Sequence, residues 1–156
     1  MRNTSLTFRQ AVYAQETAEV LIILLEIDHD DLDSPIRICK NDTDITSNGN
    51  VYLAYNFDIQ LPTDEDNDVP QAQLVIDNVD RALTQAIRTI QTPPTIRIMV
   101  VLASAPDTLE VDMPDFLLTN ISYNASTITA TISIENFLQE PFPGDLFTPT
   151  QFPGLF

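Results

Sequence analysis

A chain of 156 residues with 23 acidic against 7 basic side chains, net charge −16, has the length of one domain and the wrong sign for gripping nucleic acid. At 44% hydrophobic residues it can build a core without metal or cross-link. The single Cys39 and single His29 exclude an internal disulfide and a self-contained zinc or iron–sulfur site.

Lys40 and six scattered arginines form no basic stripe, so no specific nucleic-acid binding is expected. An acidic lining is different, because like charge lets a polyanion slide past without sticking. The polar start MRNTSLTFRQ does not read as a signal peptide. The longest apolar run, residues 20–25, falls far short of the roughly 20 needed to cross a bilayer, so no membrane insertion is expected. The chain reads as a protein made in a reducing compartment.

In chain order, residues 6–16 suit a short helix capped by Ser5, with Phe8, Ala11 and Val12 on one face. Residues 18–27 (AEVLIILLEI) read as a buried strand, 28–33 (DHDDLD) as an acidic loop, and 36–39 (IRIC) as a half-buried strand. Asn48-Gly49 is a hairpin signal joining strands at 44–46 and 51–57, and a further strand is expected at 58–61. Residues 62–69 (PTDEDNDV) form a second acidic loop, and 71–77 alternate as a strand. Residues 79–90 repeat Val79, Leu83, Ala86, Ile87 and Ile90 at helical spacing, with Asn78 or Asp80 as cap and Pro93-Pro94 as stop. The last third predicts strands at 95–103, 108–111, 116–123 and 127–134, with a turn at Ala105-Pro106-Asp107. In TITATISI, Ile128, Ala130, Ile132 and Ile134 share a face. Eight or nine short strands with one central helix predict a mainly-β domain, sandwich or barrel, over residues 1–134.

From residue 135 the pattern changes. The tail ENFLQEPFPGDLFTPTQFPGLF holds Phe137, Phe142, Phe147, Phe152 and Phe156, four of them recurring every five residues, with Pro141, Pro143, Pro149 and Pro153 keeping the chain extended. That is neither helix nor strand period. Residues 135–156 read as an aromatic arm that must cover something, either its own domain or a neighbouring subunit, because apolar surface left in water aggregates.

Chemistry is sparse. The sequence holds no Gly-rich phosphate loop and no G-x-S-x-G elbow. His29 reads as a solvent-exposed loop histidine and Cys39 as a packed small hydrophobe on the sheet face opposite Ile36 and Ile38. The acidic groups Asp28, Asp30, Asp31, Asp33 and Asp64, Glu65, Asp66, Asp68 do not match the calcium-loop pattern and lack its turning glycine. No cofactor and no metal are expected.

The chain resembles a family of phage minor tail proteins found in siphophages and prophages, a family catalogued as a domain of unknown function. The markers run almost the full length: Thr7-Phe8-Arg9-Gln10-Ala11 with Glu19-Val20-Leu21, Asp28-His29, Pro35-Ile36-Arg37, Ile76-Asp77-Asn78-Val79-Asp80, Leu102-Ala103-Ser104 and Pro106-Asp107. Glu140-Pro141-Phe142-Pro143, Phe147-Thr148-Pro149 and the closing Phe152-Pro153-Gly154-Leu155-Phe156 are the most specific. The resemblance implies a tail-tube-like β-sandwich or barrel in a tail tip or baseplate hub. It implies a structural virion component, assembled in the bacterial cytoplasm as a trimeric or hexameric ring against distal tail, hub and central fibre proteins. Hub proteins of similar layout that carry an iron–sulfur cluster bind it with cysteines this chain lacks. On this reading the five phenylalanines lie at subunit interfaces, the two acidic loops face the DNA path or the rims, and the chain is no enzyme. The rival readings are a tail-associated cell-wall hydrolase, a carbohydrate-binding module with a groove lined by Tyr13, Tyr52, Tyr55 or Tyr123, and an assembly chaperone.

Overall fold

Residues 4–60, 72–77, 90, 92–124 and 126–133 are described by the structure, a computed structural model. A helix α1 (Leu6–Tyr13) precedes nine strands: β1 (Leu21–Asp28), β2 (Ile36–Cys39), β3 (Ile45–Ser47), β4 (Asn50–Ala54), β5 (Phe57–Gln60), β6 (Ala72–Asp77), β7 (Thr95–Leu102), β8 (Ala105–Tyr123) and β9 (Thr127–Ser133). The strands hydrogen-bond in the order β3-β4-β2-β1-β7-β8-β9-β6-β5. The described chain is therefore mainly β with one short helix near its N-terminus, as the strand-rich patterning predicts.

β1 sits at the heart of the sheet because its sequence is apolar on both faces. Leu25 and Ile27 join an inner core with Ile38, Phe57, Leu74, Ile76, Ile96, Ile98, Leu118, Ile128, Ala130 and Ile132, while Ile22 and Leu24 join an outer cluster with Cys39, Tyr52, Met99 and Val101. The inner core draws on strands from β2 to β5, almost opposite ends of the strand order, so the sheet curls on itself. A seam tightens the curl: Tyr55 donates its backbone N–H to the Cys39 carbonyl, and the next carbonyl, of Asn56, accepts from Asp77 N, both at 3.0 Å. On the outside, the β3–β4 hairpin folds over β1 and β7, burying Tyr52. Its tip is tied to β8 by Ser47 Oγ donating to the Pro106 carbonyl and Asn48 N donating to Asp107 Oδ1, each at 2.7 Å. Each large aliphatic side chain so buried contributes about 1.5–3 kcal/mol.

Local sequence explains most boundaries. Ser5 Oγ accepts from Phe8 N at 3.0 Å, so the expected cap is in place, but the helix ends at Tyr13 rather than residue 16, with Ala14 already extended. Of the expected helix face, Ala11 is buried, Phe8 half-buried and Val12 exposed. Asn48 (φ 48°) and Gly49 (φ 79°) supply the two left-handed residues of a tight hairpin turn, as expected. The single strand expected at 51–57 divides: it stops at Ala54, and Phe57 begins β5 against β6 instead.

The largest departure is β8. Sequence reasoning separates strands at 108–111 and 116–123 and puts a turn at 105–107. The structure turns at Ala103-Ser104 and runs one 19-residue strand from Ala105. Pro114-Asp115 and Asn120-Ile121 are absorbed as bulges, two residues on β8 opposing one on β7 and on β9 respectively, with Asp115 (φ 66°) and Asn120 (φ 51°) left-handed. The Asn124 side chain closes the β8–β9 turn by accepting from Ser126 N and Thr127 N. The expected helix at 79–90 lies outside the described residues save Ile90, as do the acidic stretch 62–69 and the arm 135–156.

Candidate functional site

Strand register aligns several of the candidate segments on one row across the sheet. Asp28 pairs with Thr95, Thr95 with Leu117, and Leu117 with Ser133. Beside Ser133, Ile132 pairs with Ala72, and then Gln73 with Gln60. β1 ends and β7 begins on this row, so the loop after β1 leaves at one end of the strands, whereas β9 and β5 end and β6 begins on it while running the other way, so the anchors of residues 61–71 and the exit from β9 face the opposite end, that of Leu21 and Leu102. Asp28, Asp30, Asp31 and Asp33 are all exposed at the end of β1. Asp64, Glu65, Asp66 and Asp68 lie outside the described residues, as do Phe137, Phe142, Phe147, Phe152 and Phe156.

His29 departs from the expectation of an exposed loop residue. Its side chain is 9% exposed, with Nε2 2.6 Å from Thr92 Oγ1 and Nδ1 accepting the Asp31 N–H at 3.0 Å. Because Nδ1 accepts, the ring proton is assigned to Nε2 and donated to Thr92. The imidazole thus pins the acidic loop to the segment ahead of β7, which fits a structural clamp better than a catalytic base. Among the described residues no group of three or more His, Cys, Asp or Glu side chains is placed to hold a metal ion.

On the outer face a charge ladder crosses four neighbouring strands, and sequence reasoning missed it. Arg37 Nε donates to Glu26 Oε2 at 2.7 Å, Glu26 faces Arg97 in register, and Arg97 grips Asp112 through two 2.7 Å hydrogen bonds. The Tyr52 hydroxyl approaches the Glu26 carboxylate at 3.4 Å. The hydrogen bond from Arg97 holds the Asp112 carboxyl below its ordinary range and raises the Arg97 guanidinium. Burial, followed by the nearby Glu26 charge, pushes the Tyr52 hydroxyl up. The signal was present: Glu26, Arg37 and Arg97 are lone charges inside otherwise apolar strands, a pattern that calls for cross-strand partners.

Cys39 is fully buried on the face opposite Ile38, as expected, with Sγ 3.5 Å from the Tyr52 carbonyl, and burial raises its thiol pKa. The four tyrosines considered as a sugar-stacking groove do not converge: Tyr52 is buried in the outer cluster, Tyr55 packs on the inner core, and Tyr13 and Tyr123 are exposed. The barrel interior keeps a hollow of about 10 Å³ between Ile27, Leu74, Pro94, Leu118 and their neighbours, room for about one water and lined by no polar atom.

The opposite rim is apolar outside. Leu21 pairs with Leu102, Ala103 N donates to the Val20 carbonyl at 2.9 Å, and Ser104 Oγ donates to Glu19 at 2.7 Å. Helix α1 is moored there by Ser5 N donating at 2.7 Å to the carboxylate of Glu110, itself buried. Leu6, Val12, Tyr13, Val20 and Leu21 are exposed.

Together these features define a curled-sheet β domain with an acidic loop at one end and exposed apolar side chains at the other. Residues 7–147 match the family described as Domain of unknown function (DUF1833), and the chain belongs to that family. Comparison with curated proteins finds no match.

Proposed function

We propose that this chain is a structural part of a phage tail tip or baseplate hub, one member of a ring at the distal end of the tail tube. The observation that carries most weight is the acidic surface: 23 acidic against 7 basic side chains, with Asp28, Asp30, Asp31 and Asp33 all exposed on one loop at the end of β1. The mainly-β fold and the tail-protein resemblance of the closing Phe152-Pro153-Gly154-Leu155-Phe156 motif support the same reading.

The mechanism is architectural. Carboxylates around an opening repel a polyanion and keep DNA from adhering as it passes. Phenylalanines spaced along an extended arm bury apolar area against neighbouring subunits or against distal tail, hub and central fibre proteins, which turns weak pairwise contacts into a closed ring of three or six. Catalysis has no part in this reading, and the chain works in the virion tail.

Mass spectrometry of purified particles, combined with cross-linking of assembled tails, tests the proposal. The expected result is a stoichiometric virion protein whose residues 135–156 cross-link to a neighbour. Absence from finished particles, as for an assembly chaperone, or turnover of peptidoglycan by the purified chain, as for a hydrolase, refutes it.

A further inference from the structure

Of the eight large hydrophobic side chains exposed among the described residues, five (Leu6, Val12, Tyr13, Val20 and Leu21) fall between residues 6 and 21. Tyr13 is 87% exposed. Helix α1 has only eight residues and one buried side chain, Ala11. Helices shorter than about 12–15 residues are marginal without tertiary cover. Its moorings are one cap and one hydrogen bond to Glu110. A short helix with apolar side chains facing water on the rim of a barrel is built to be covered.

We propose that the cover is the C-terminal arm of this same polypeptide, residues 135–156, laid across α1 and the start of β1. The inference rests on the assembly reading above and names the surface on which the arm lands. Two observations favour this occupant. The arm is the strongest concentration of large apolar side chains in the sequence, holding five of its eight phenylalanines. It has the heading and the reach: β9 runs toward the end where Leu21 pairs with Leu102, and at about 3.3 Å per extended residue the path from Ser133 to Phe152 spans ~60 Å, against only ~26 Å for the whole of eight-residue β1.

A benzophenone amino acid in place of Tyr13 of the full-length protein, irradiated in purified assembled tails and mapped by mass spectrometry, reads the contact directly. The same probe in place of Val51, an exposed apolar site on β4, serves as the control. The expected result is that probe 13 labels residues 135–156 at least fivefold more than probe 51 does. The paired substitution Phe147→Asp and Phe152→Asp should cut that yield by at least fivefold. Labelling between copies, told apart by mixing isotopically light and heavy chains, supports both this inference and the bridging role. Labelling confined within one copy keeps the inference and removes the bridging role. Labelling of any other segment, or a yield indifferent to the two Phe substitutions, overturns the inference.

Discussion

Replacing Glu26 with Gln removes one charge from the middle of the outer ladder while keeping its shape. The Glu26 side chain is 19% exposed and that of Arg37 is 25% exposed, so the pair is mostly withdrawn from water. A hydrogen bond to a charged partner contributes about 1.5–3 kcal/mol when well buried, and residual exposure brings the expected loss for Glu26→Gln to about 1–2 kcal/mol. In a domain of this size that lowers Tm by roughly 2–6 °C. Urea unfolding followed by circular dichroism should show a lower midpoint at unchanged m-value, the sign of altered stability rather than altered compactness. Arg37→Gln should cost a similar amount. The double variant should lose less than the sum of the two, by about 1 kcal/mol, because each single change strands the other partner. The more exposed Lys40–Asp58 pair, at 3.2 Å, is the internal contrast: Lys40→Gln should stay within about 0.5 kcal/mol. Strict additivity of Glu26→Gln and Arg37→Gln, or a Lys40→Gln effect as large as theirs, would refute the view that the ladder is a coupled, partly desolvated unit.

Asp112 predicts a pH signature. Its folded pKa lies below its unfolded value, so its contribution is present above the unfolded carboxylate range and is lost as pH falls through the lowered folded value. The stability gap between wild type and Asp112→Asn, no more than about 1 kcal/mol for so exposed a pair, should therefore be seen at pH 7 and shrink as the pH falls below the ordinary carboxylate range. Cys39 is buried with a raised thiol pKa, so an aromatic disulfide reagent should modify it at least 100-fold more slowly in the folded protein than in 6 M guanidinium. Gly49→Ala tests backbone strain alone: an added Cβ meets nothing within 4 Å, yet φ is +79°, so the variant should lose about 1 kcal/mol in chemical unfolding.

Much of the β architecture was legible because period-two patterning survives in short strands. The run of Ile128, Ala130 and Ile132 on one face and the Asn48-Gly49 turn are local statements that tertiary structure had no reason to override. What failed was reading punctuation as termination. Pro114-Asp115 looks like a break between strands, but at a bulge the proline's missing N–H costs little and an aspartate tolerates the left-handed turn, so β8 continues. The division at residues 55–56 was hidden for the opposite reason: YLAYNF is apolar but for Asn56 and holds no Gly or Pro, and only the long-range demands of Cys39 and Asp77 for backbone partners split it. His29 was misjudged because its acidic neighbours advertise solvent, while Thr92, 63 residues away in sequence, supplies the cover. The row that aligns Asp28, Thr95, Leu117 and Ser133 was invisible for the same reason, since it is created by register between β1, β7, β8 and β9 rather than by any motif.

The position of β1 has a consequence for how the protein is made. Its first neighbour, β2, follows within a few residues, but its other edge waits for β7, whose Thr95 lies 67 residues beyond Asp28. At about 5–20 residues per second on the ribosome, LIILLEID emerges several seconds before its second partner exists, with one edge open and both faces greasy. Slower chain growth at low temperature, or a holdase present during synthesis, should therefore raise the yield of native protein more than any treatment applied after release.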